Sequence, residues 1–177
     1  NLVVSGSADY SIKLWDTHTG KEIRSLTGHG EVAKVVMFSP DGKKVISVGG
    51  KEIRVWDVLT GKEIQTISEN CKYISAADIS PDGKTVVIGI NETKSKTVKI
   101  IDIETGKEIK SLKGHKREVR NLHFSHDGKK IVACDYGGVT LIWDVETATI
   151  LHTFDLWSGS ASFSPDGKHV ALATDGK

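Results

Sequence analysis

The stretch Ser39-Pro40-Asp41-Gly42-Lys43 decides the fold, because the chain repeats it three more times. Proline fixes its own φ and glycine tolerates positive φ, so these five residues predict a tight turn between two strands. The copies begin at residues 39, 80, 125 and 164, and His126 replaces the proline in the third. A turn that returns about every 40 residues indicates a tandem repeat protein.

Two further markers run in phase with the turn. Trp-Asp ends an apolar run at Trp15, Trp56 and Trp143, and Ile101 takes the place of the tryptophan once. Thr-Gly-Lys-Glu-Ile begins at residues 19, 60 and 105, and its fourth copy has decayed to Thr-Ala-Thr-Ile at residues 147–150. Three markers with one period predict a single structural unit used several times.

Short apolar runs bounded by turn residues lie between the markers. Runs such as Val45-Ile46-Ser47-Val48 are rich in β-branched residues, and no stretch keeps a helical spacing over three turns. Each repeat therefore predicts four strands, named a to d, which in one full unit are Ala33–Phe38, Lys44–Val48, Glu52–Val58 and Glu63–Ile67. A four-stranded sheet of this size cannot bury both faces alone, so it must stack on its neighbours.

Composition excludes several classes of protein. The 177 residues carry 24 Lys+Arg and 23 Asp+Glu, a net charge of +1 that argues against a nucleic-acid partner. No apolar run approaches the ~20 residues that span a bilayer, so no membrane partner is predicted. Cys71 and Cys134 cannot form a disulfide framework, which fits a reducing compartment such as the cytoplasm. The chain begins at Asn1, and we expect it to be a piece of a longer protein.

The pairs Gly28-His29 and Gly114-His115, followed by the turns and closed by Trp-Asp, resemble the WD-repeat β-propeller family. The resemblance implies an all-β fold, a β-propeller of four-stranded antiparallel blades with about four blades present. The segments expected are a partial blade (strands b to d) at 1–27, blades at 28–68, 69–112 and 113–154, and a partial blade (strands a and b) at 155–177. Strand b occurs at both ends, so we expect a fragment of a larger ring first, a half-ring that pairs with a second copy or another chain second, and an open arc third.

The same resemblance implies a hydrogen-bonded cluster in each blade, made by a His before strand a, a Ser or Thr on strand b, an Asp in the b–c hairpin and the Trp on strand c. A buried indole and imidazole need such partners. No repeat has all four groups: the third has lost them, and the fourth offers Ala133-Cys134 on strand b. These residue types invite a catalytic interpretation, but because they recur once per blade they are predicted to be structural. They are Ser5, Asp9, Trp15, His29, Ser47, Trp56, His115 and Trp143.

Metal and cofactor sites are not predicted. His123 and His126 are three residues apart, but they span a strand end and a turn and have no further ligand at a suitable spacing. The glycines lie in hairpins rather than between a strand and a helix, so none forms a phosphate-binding loop. The sequence therefore predicts no metal, no cofactor and no catalytic residue, and hence no enzyme.

The resemblance implies a non-catalytic scaffold for protein–protein interaction, because members of the family mostly serve as platforms on which proteins or peptides dock. In the family the start of each strand a faces the docking surface. The residues predicted to contact a partner are Val32, Lys34, Tyr73, Ser75, Lys116, Arg117, Glu118, Arg120 and Trp157. The face is expected to centre on Tyr73, Glu118, Arg120 and Trp157, and the alternative for Tyr73 and Trp157 is packing against a neighbouring blade.

Two other functions stay open at this point. One is a sensor or regulatory propeller tethered to a catalytic or NTPase module in a longer polypeptide. The other is recognition of a phosphorylated or acidic ligand by the basic rim around Lys113–Arg120, where Lys110, Lys113, Lys116, Arg117 and Arg120 cluster. The cluster has no interleaved aromatic residue, so it does not predict a platform for stacking single-stranded nucleic acid.

Overall fold

The computed structural model of the chain describes residues 1–92 and 96–174. In these residues every regular element is a β-strand, and the strands form antiparallel sheets. No helix in this part of the chain is long and apolar enough to cross a membrane. The predicted all-β fold of four-stranded antiparallel sheets is confirmed. Residues 93–95 of the predicted blade 69–112, and 175–177 of the predicted last segment, lie outside the described residues.

The chain divides into two compact units, and the first, Asn1–Tyr73, holds two sheets. The strands of the three-stranded sheet are β1 (Leu2–Gly6), β2 (Ile12–Asp16) and β3 (Glu22–Leu26), in that order. The next sheet has four strands in sequence order, β4 (Ala33–Phe38), β5 (Lys44–Gly49), β6 (Glu52–Asp57) and β7 (Glu63–Ser68). Strand c was predicted to reach Val58 but ends at Asp57, although the Val58 amide still donates to the carbonyl of Lys43 at 2.9 Å.

The second unit, Ile74–Lys177, holds two four-stranded sheets and one hairpin. The first sheet contains β8 (Tyr73–Ile79), β9 (Thr85–Asn91), β10 (Lys96–Asp102) and β11 (Glu108–Leu112), and the unit boundary falls at the start of β8. The second sheet contains β12 (Val119–Phe124), β13 (Lys130–Asp135), β14 (Val139–Asp144) and β15 (Ile150–Asp155). The hairpin pairs β16 (Ser158–Phe163) with β17 (Val170–Thr174).

The repeated turn has the same hydrogen bonds in every copy. In the first copy the Ser39 hydroxyl donates to Asp41 Oδ1 at 2.6 Å, the Lys43 amide donates to the same oxygen at 3.0 Å, and Gly42 has a φ of 69°. The copy with His126 keeps these bonds through Ser125 and Asp127. The turn therefore requires the serine, the aspartate and the glycine, and proline is dispensable.

Trp-Asp and Thr-Gly-Lys-Glu-Ile are two ends of one hairpin. Asp57 Oδ1 accepts the amide and the hydroxyl of Thr60, each at 2.7 Å, and Gly61 follows with a φ of 72°. These bonds lower the pKa of the Asp57 carboxyl, the Thr60 amide having the largest effect. In the decayed fourth copy the hairpin keeps its shape, and Ala148 takes the glycine position with a φ of 58°.

Apolar faces of neighbouring sheets pack together within each unit. In the first unit Leu14 and Leu26 of the three-stranded sheet share a core with Val45 and Trp56 of the four-stranded sheet. In the second unit the β8–β11 and β12–β15 sheets share a larger core, and Val132 and Ile142 pack against the β16–β17 hairpin. Burial of such faces on neighbouring copies is what stabilises sheets that are too small to stand alone.

In each unit, a cation on strand d of the first sheet is bonded to the c–d hairpin of the next sheet. Arg24, the residue after Thr-Gly-Lys-Glu-Ile, donates to the carbonyls of Leu59 and Thr60 at 2.9 and 3.0 Å. Lys110, its counterpart in the third repeat, donates to the carbonyls of Val145, at 2.7 Å, and Glu146. The same sequence position therefore makes the same link in both units.

Candidate functional site

The second repeat contains a buried chain of three polar side chains. Trp56 on β6 donates through Nε1 to the Ser47 hydroxyl on β5 at 2.8 Å, and His29 Nε2 lies 2.7 Å from the same hydroxyl. Burial, and then the nearby Arg54 guanidinium, lower the pKa of His29. The imidazole is therefore neutral at pH 7, and the three groups satisfy one another inside the sheet.

In the first repeat two separate bonds stand in place of a connected cluster. Trp15 Nε1 donates to the Ser5 hydroxyl at 2.9 Å. Asp9 accepts the hydroxyl and the amide of Ser11 at 2.6 and 3.0 Å. The Ser11 hydroxyl is the main reason that the pKa of Asp9 falls to about 2. Asp9 therefore shapes the b–c hairpin of its own repeat.

The fourth repeat holds its histidine with a residue that the sequence interpretation missed. His115 Nδ1 lies 2.9 Å from Asp135 Oδ2, and both side chains are buried. The other carboxylate oxygen of Asp135 accepts the amides of Gly137 and Val139 at 2.8 and 3.1 Å. Asp135 is the last residue of strand b. It lies eight residues before Trp143, whereas Asp9 lies six residues before Trp15. The sequence could have indicated this role, because Asp135 is the acidic residue of the b–c hairpin in this repeat.

The tryptophan of the fourth repeat also changes its partner. Ala133 pairs with Leu141 at the strand-b position equivalent to Ser47, and it offers no hydroxyl. Trp143 Nε1 donates instead to the main-chain carbonyl of Lys113 at 3.1 Å. Removal of the serine therefore leaves no unpaired indole.

These clusters do not assemble the three groups that acyl transfer requires. Among the residues that the structure describes, His29 is bonded to a serine hydroxyl but to no carboxylate, and His115 is bonded to a carboxylate but to no hydroxyl nucleophile. Burial has the largest effect on the pKa of His115 and lowers it, although the hydrogen bond that Asp135 accepts from the imidazole opposes that change. In both repeats the arrangement supports packing of the sheet.

The two histidines weighed as a metal pair lie in different surroundings. His123 Nδ1 is 3.4 Å from Asp78 Oδ2, and its Nε2 is 3.1 Å from Asn121 Nδ2. His126 occupies the exposed proline position of the third turn. Across residues 1–92 and 96–174, no three His, Cys, Asp or Glu side chains are grouped so that they could hold a metal ion.

Three of the predicted partner-binding residues lie in the first unit. Val32, just before β4, is 39% exposed, and the Lys34 ammonium lies 5.5 Å from the centre of the Tyr73 ring. Lys34 is exposed and Tyr73 is half-buried. A cation over an aromatic ring attracts the ring electrostatically and limits its freedom.

The other six lie in the second unit, and most of them come together at one end of the β12–β15 sheet. Trp157 follows β15 and is 50% exposed, while Glu118 precedes β12 and accepts a hydrogen bond from Asn91 Nδ2 at 2.8 Å. Lys116, Arg117 and Arg120 are exposed on the same loop and strand. Ser75 lies on the neighbouring β8–β11 sheet, where its hydroxyl donates to the Gly89 carbonyl at 3.1 Å.

Two exposed apolar residues at this end of the sheet were not among those predicted from the sequence. Tyr136, in the b–c hairpin, is 56% exposed, and Leu156, beside Trp157, is 54% exposed. The Arg120 guanidinium lies 5.3 Å from the centre of the Tyr136 ring. The family pattern marks the start of strand a, whereas Tyr136 lies in a b–c hairpin that the antiparallel sheet brings to the same end.

We call this surface the aromatic rim, and it consists of Glu118, Arg120, Tyr136, Leu156 and Trp157. Its shape depends on Gly138, which has a φ of 85°. A Cβ atom on Gly138 would lie 3.0 Å from Trp157 Cδ1. The indole therefore packs directly on the hairpin backbone, and its remaining surface faces solvent. The rim exposes apolar and cationic groups to solvent.

Comparison with known proteins agrees with this architecture. A family model described as "WD domain, G-beta repeat" matches residues 1–16, 20–57, 61–102 and 106–144. "Nuclear distribution protein PAC1" of Arthroderma otae is 47% identical over 49 residues, which is 28% of this chain and 11% of that protein. "Serine-threonine kinase receptor-associated protein" of Dictyostelium discoideum is 40% identical over 50 residues, 28% of this chain and 17% of that protein.

The chain thus matches between about a tenth and a sixth of the length of these two relatives, or roughly one repeat of each. The family model, in contrast, matches most of the chain, repeat after repeat, up to residue 144. WD domains bind other proteins and are generally not catalytic. This chain belongs to the WD-repeat family.

Proposed function

We propose that this chain is a non-catalytic scaffold that docks a protein or peptide on its aromatic rim. The observation that carries the proposal is the grouping of Tyr136, Leu156 and Trp157, each at least half exposed, at one end of a single sheet. Exposed apolar side chains that stand singly need no explanation, whereas a contiguous group is typical of an interaction site.

The chemistry of the rim supports docking. Tryptophan, tyrosine and arginine are enriched among residues that dominate binding energy, because they bury a large area with few rotatable bonds. Arg120 over Tyr136 and the backbone of Gly138 under Trp157 hold both rings before a partner arrives. Pre-organised side chains lose less conformational entropy on binding.

The buried polar clusters support the absence of catalysis. The Ser47–His29 and Asp135–His115 contacts lie inside the sheets and use the groups that a catalytic site would have to present to a substrate. These residues therefore serve blade packing, and the rim contacts the partner.

Alanine substitution tests the proposal. Binding partners captured by the wild-type protein are identified by mass spectrometry, and their affinities are compared with those for Tyr136→Ala and Trp157→Ala. We expect each substitution to weaken a rim partner by about 1–2 kcal/mol or more. Unfolding midpoints in urea are measured alongside, to show that the variants remain folded.

Leu59→Ala is the matched control, because Leu59 is 82% exposed on a c–d hairpin of the first unit. It should leave every affinity unchanged. If both rim variants fold and bind all captured proteins as tightly as the wild type, docking on the rim is excluded.

A further inference from the structure

The aromatic rim is flanked by an excess of positive charge. Four cations lie on the loop before β12 and at the start of that strand, and all four are exposed. They are Lys113, Lys116, Arg117 and Arg120. None of them pairs with a carboxylate of the described residues, whereas the Lys13, Arg54 and Lys99 side chains on strand c all do.

The carboxylates at this end of the sheet are largely engaged elsewhere. Glu118 accepts a hydrogen bond from Asn91, and Asp135 is buried against His115 and two backbone amides. Asp155, at the end of β15, is exposed and carries a single opposing charge. Four exposed cations stand against three carboxylates, of which only Asp155 is exposed, so positive charge is in excess on the solvent-facing side, where a partner can neutralise it.

The cations also adjoin the apolar part of the rim. Arg120 covers one face of Tyr136, and the Arg117 side chain lies against Gly137, where a Cβ atom would be 2.7 Å from Arg117 Cγ. A ligand that reaches Trp157 or Leu156 is therefore within reach of both guanidinium groups. The surface suits a segment that carries carboxylates beside an apolar side chain.

We infer that the occupant of the aromatic rim is an acidic peptide segment of a partner protein, with Asp or Glu side chains facing Lys116, Arg117 and Arg120 and an apolar residue against Trp157. The inference rests on the proposed docking function and adds the chemistry of the partner. Nucleic acid is the less favoured polyanion. The chain carries a net charge of only +1, and one face of Tyr136 is covered by Arg120 rather than open for base stacking.

The test uses the whole chain and a display library of random twelve-residue peptides. Selected peptides are labelled, and their affinities are measured by fluorescence anisotropy at low and high salt. Binding is repeated with a charge-reversed variant that combines Lys116→Glu and Arg117→Glu, with the single variant Arg120→Gln, and with Trp157→Ala. A control variant combines Lys84→Glu and Lys168→Glu, which reverse two exposed lysines in the repeated turns at the opposite end of the sheets.

We expect the selected peptides to be rich in Asp and Glu and to contain an apolar residue. The charge-reversed rim should weaken them by about tenfold, through loss of two ion pairs and added repulsion. The control reversal should change affinity by no more than about twofold, and high salt should weaken wild-type binding. Arg120→Gln should also weaken binding. It tests the same charge interaction if the variant with Lys116→Glu and Arg117→Glu does not fold.

The other outcomes separate this inference from the docking proposal. Neutral or basic peptides that lose affinity with Trp157→Ala but not with charge reversal would overturn the acidic partner and leave rim docking in place. Peptides insensitive to every rim variant would overturn both. A labelled twelve-nucleotide single strand that binds more tightly than any acidic peptide, and competes with it, would replace the peptide by nucleic acid.

Discussion

His115 Nδ1 and Asp135 Oδ2 lie 2.9 Å apart, in a repeat that has lost its strand-b serine. The carboxylate replaces, from a new sequence position, the support that the hydroxyl of Ser47 gives to His29 in the second repeat. Asp135 also accepts two hairpin amides. One side chain therefore links the loop before strand a to the b–c hairpin.

Asp135→Ala should destabilise the protein by about 2–4 kcal/mol, because it leaves a buried imidazole and two hairpin amides without their acceptor. Asp135→Asn keeps an oxygen for the amides and should cost less. Urea unfolding followed by tryptophan fluorescence measures both variants. If the Asp135→Ala variant is as stable as the wild-type protein, the carboxylate does not link the two loops structurally.

Acidification should destabilise the protein in a first step that begins near pH 6.5. Burial lowers the pKa values of His29 and His115 from their ordinary value of 6.5. Below that pH the two histidines therefore bind more protons in the unfolded chain than in the folded chain. Stability is therefore full above the unfolded pKa and falls as the pH drops through it. A second step follows below pH 3.8, where aspartates with lowered pKa values, such as Asp41 and Asp57, are protonated.

The free energy of unfolding measured between pH 8 and pH 3 checks this prediction. His115→Gln should reduce the slope of the first step. His169→Gln is the control, because the His169 side chain is 80% exposed, and it should leave that slope unchanged. A stability that rises on acidification from pH 7 to pH 5 would contradict the prediction.

Ser47→Ala should cost about 1–3 kcal/mol, because the buried Trp56 indole and the His29 ring both lose their partner. Ser5→Ala is the matched comparison. It removes one bond, from Trp15, in a half-buried setting where water can replace the hydroxyl, and it should cost less. Equal costs would show that burial of the cluster does not determine its strength. Urea unfolding under identical conditions gives the two values.

Ala148→Gly should stabilise the protein by about 1 kcal/mol, because Ala148 has a φ of 58° at a position where the other repeats have glycine. Gly20→Ala makes the reverse change in the first repeat. A Cβ atom there meets nothing within 4 Å, so its expected loss of similar size reports backbone strain alone. Thermal unfolding of the two variants checks both signs, and a stabilising Gly20→Ala would refute the argument.

Much of the fold could be predicted from the sequence because its determinants are local. The Ser39–Lys43 turn and the Asp57–Thr60 hairpin form their hydrogen bonds within five residues, so their letters recur wherever the geometry recurs. The period of those letters then fixes the number and order of strands. These are the features for which a single sequence contains a strong signal.

The site was less accessible to sequence reasoning, because its contacts join distant residues. Tyr136 belongs to the rim through Arg120, 16 positions away, and Asp135 acts on a histidine 20 positions away. Neither sits at the position that the repeat pattern marks. Trp143 found its acceptor in a main-chain carbonyl, which no side-chain pattern records.

The hydrogen bonds from Arg24 and Lys110 to the next hairpin affect how repeats can be added to such a chain. Each cation binds main-chain carbonyls, and the residues that supply them differ, Leu59 and Thr60 in one case and Val145 and Glu146 in the other. A bond of this kind places no demand on the side chains of the receiving hairpin. A repeat that keeps a cation at this position can therefore bind the hairpin of any neighbour, and the array can lengthen without compensating mutations in that neighbour.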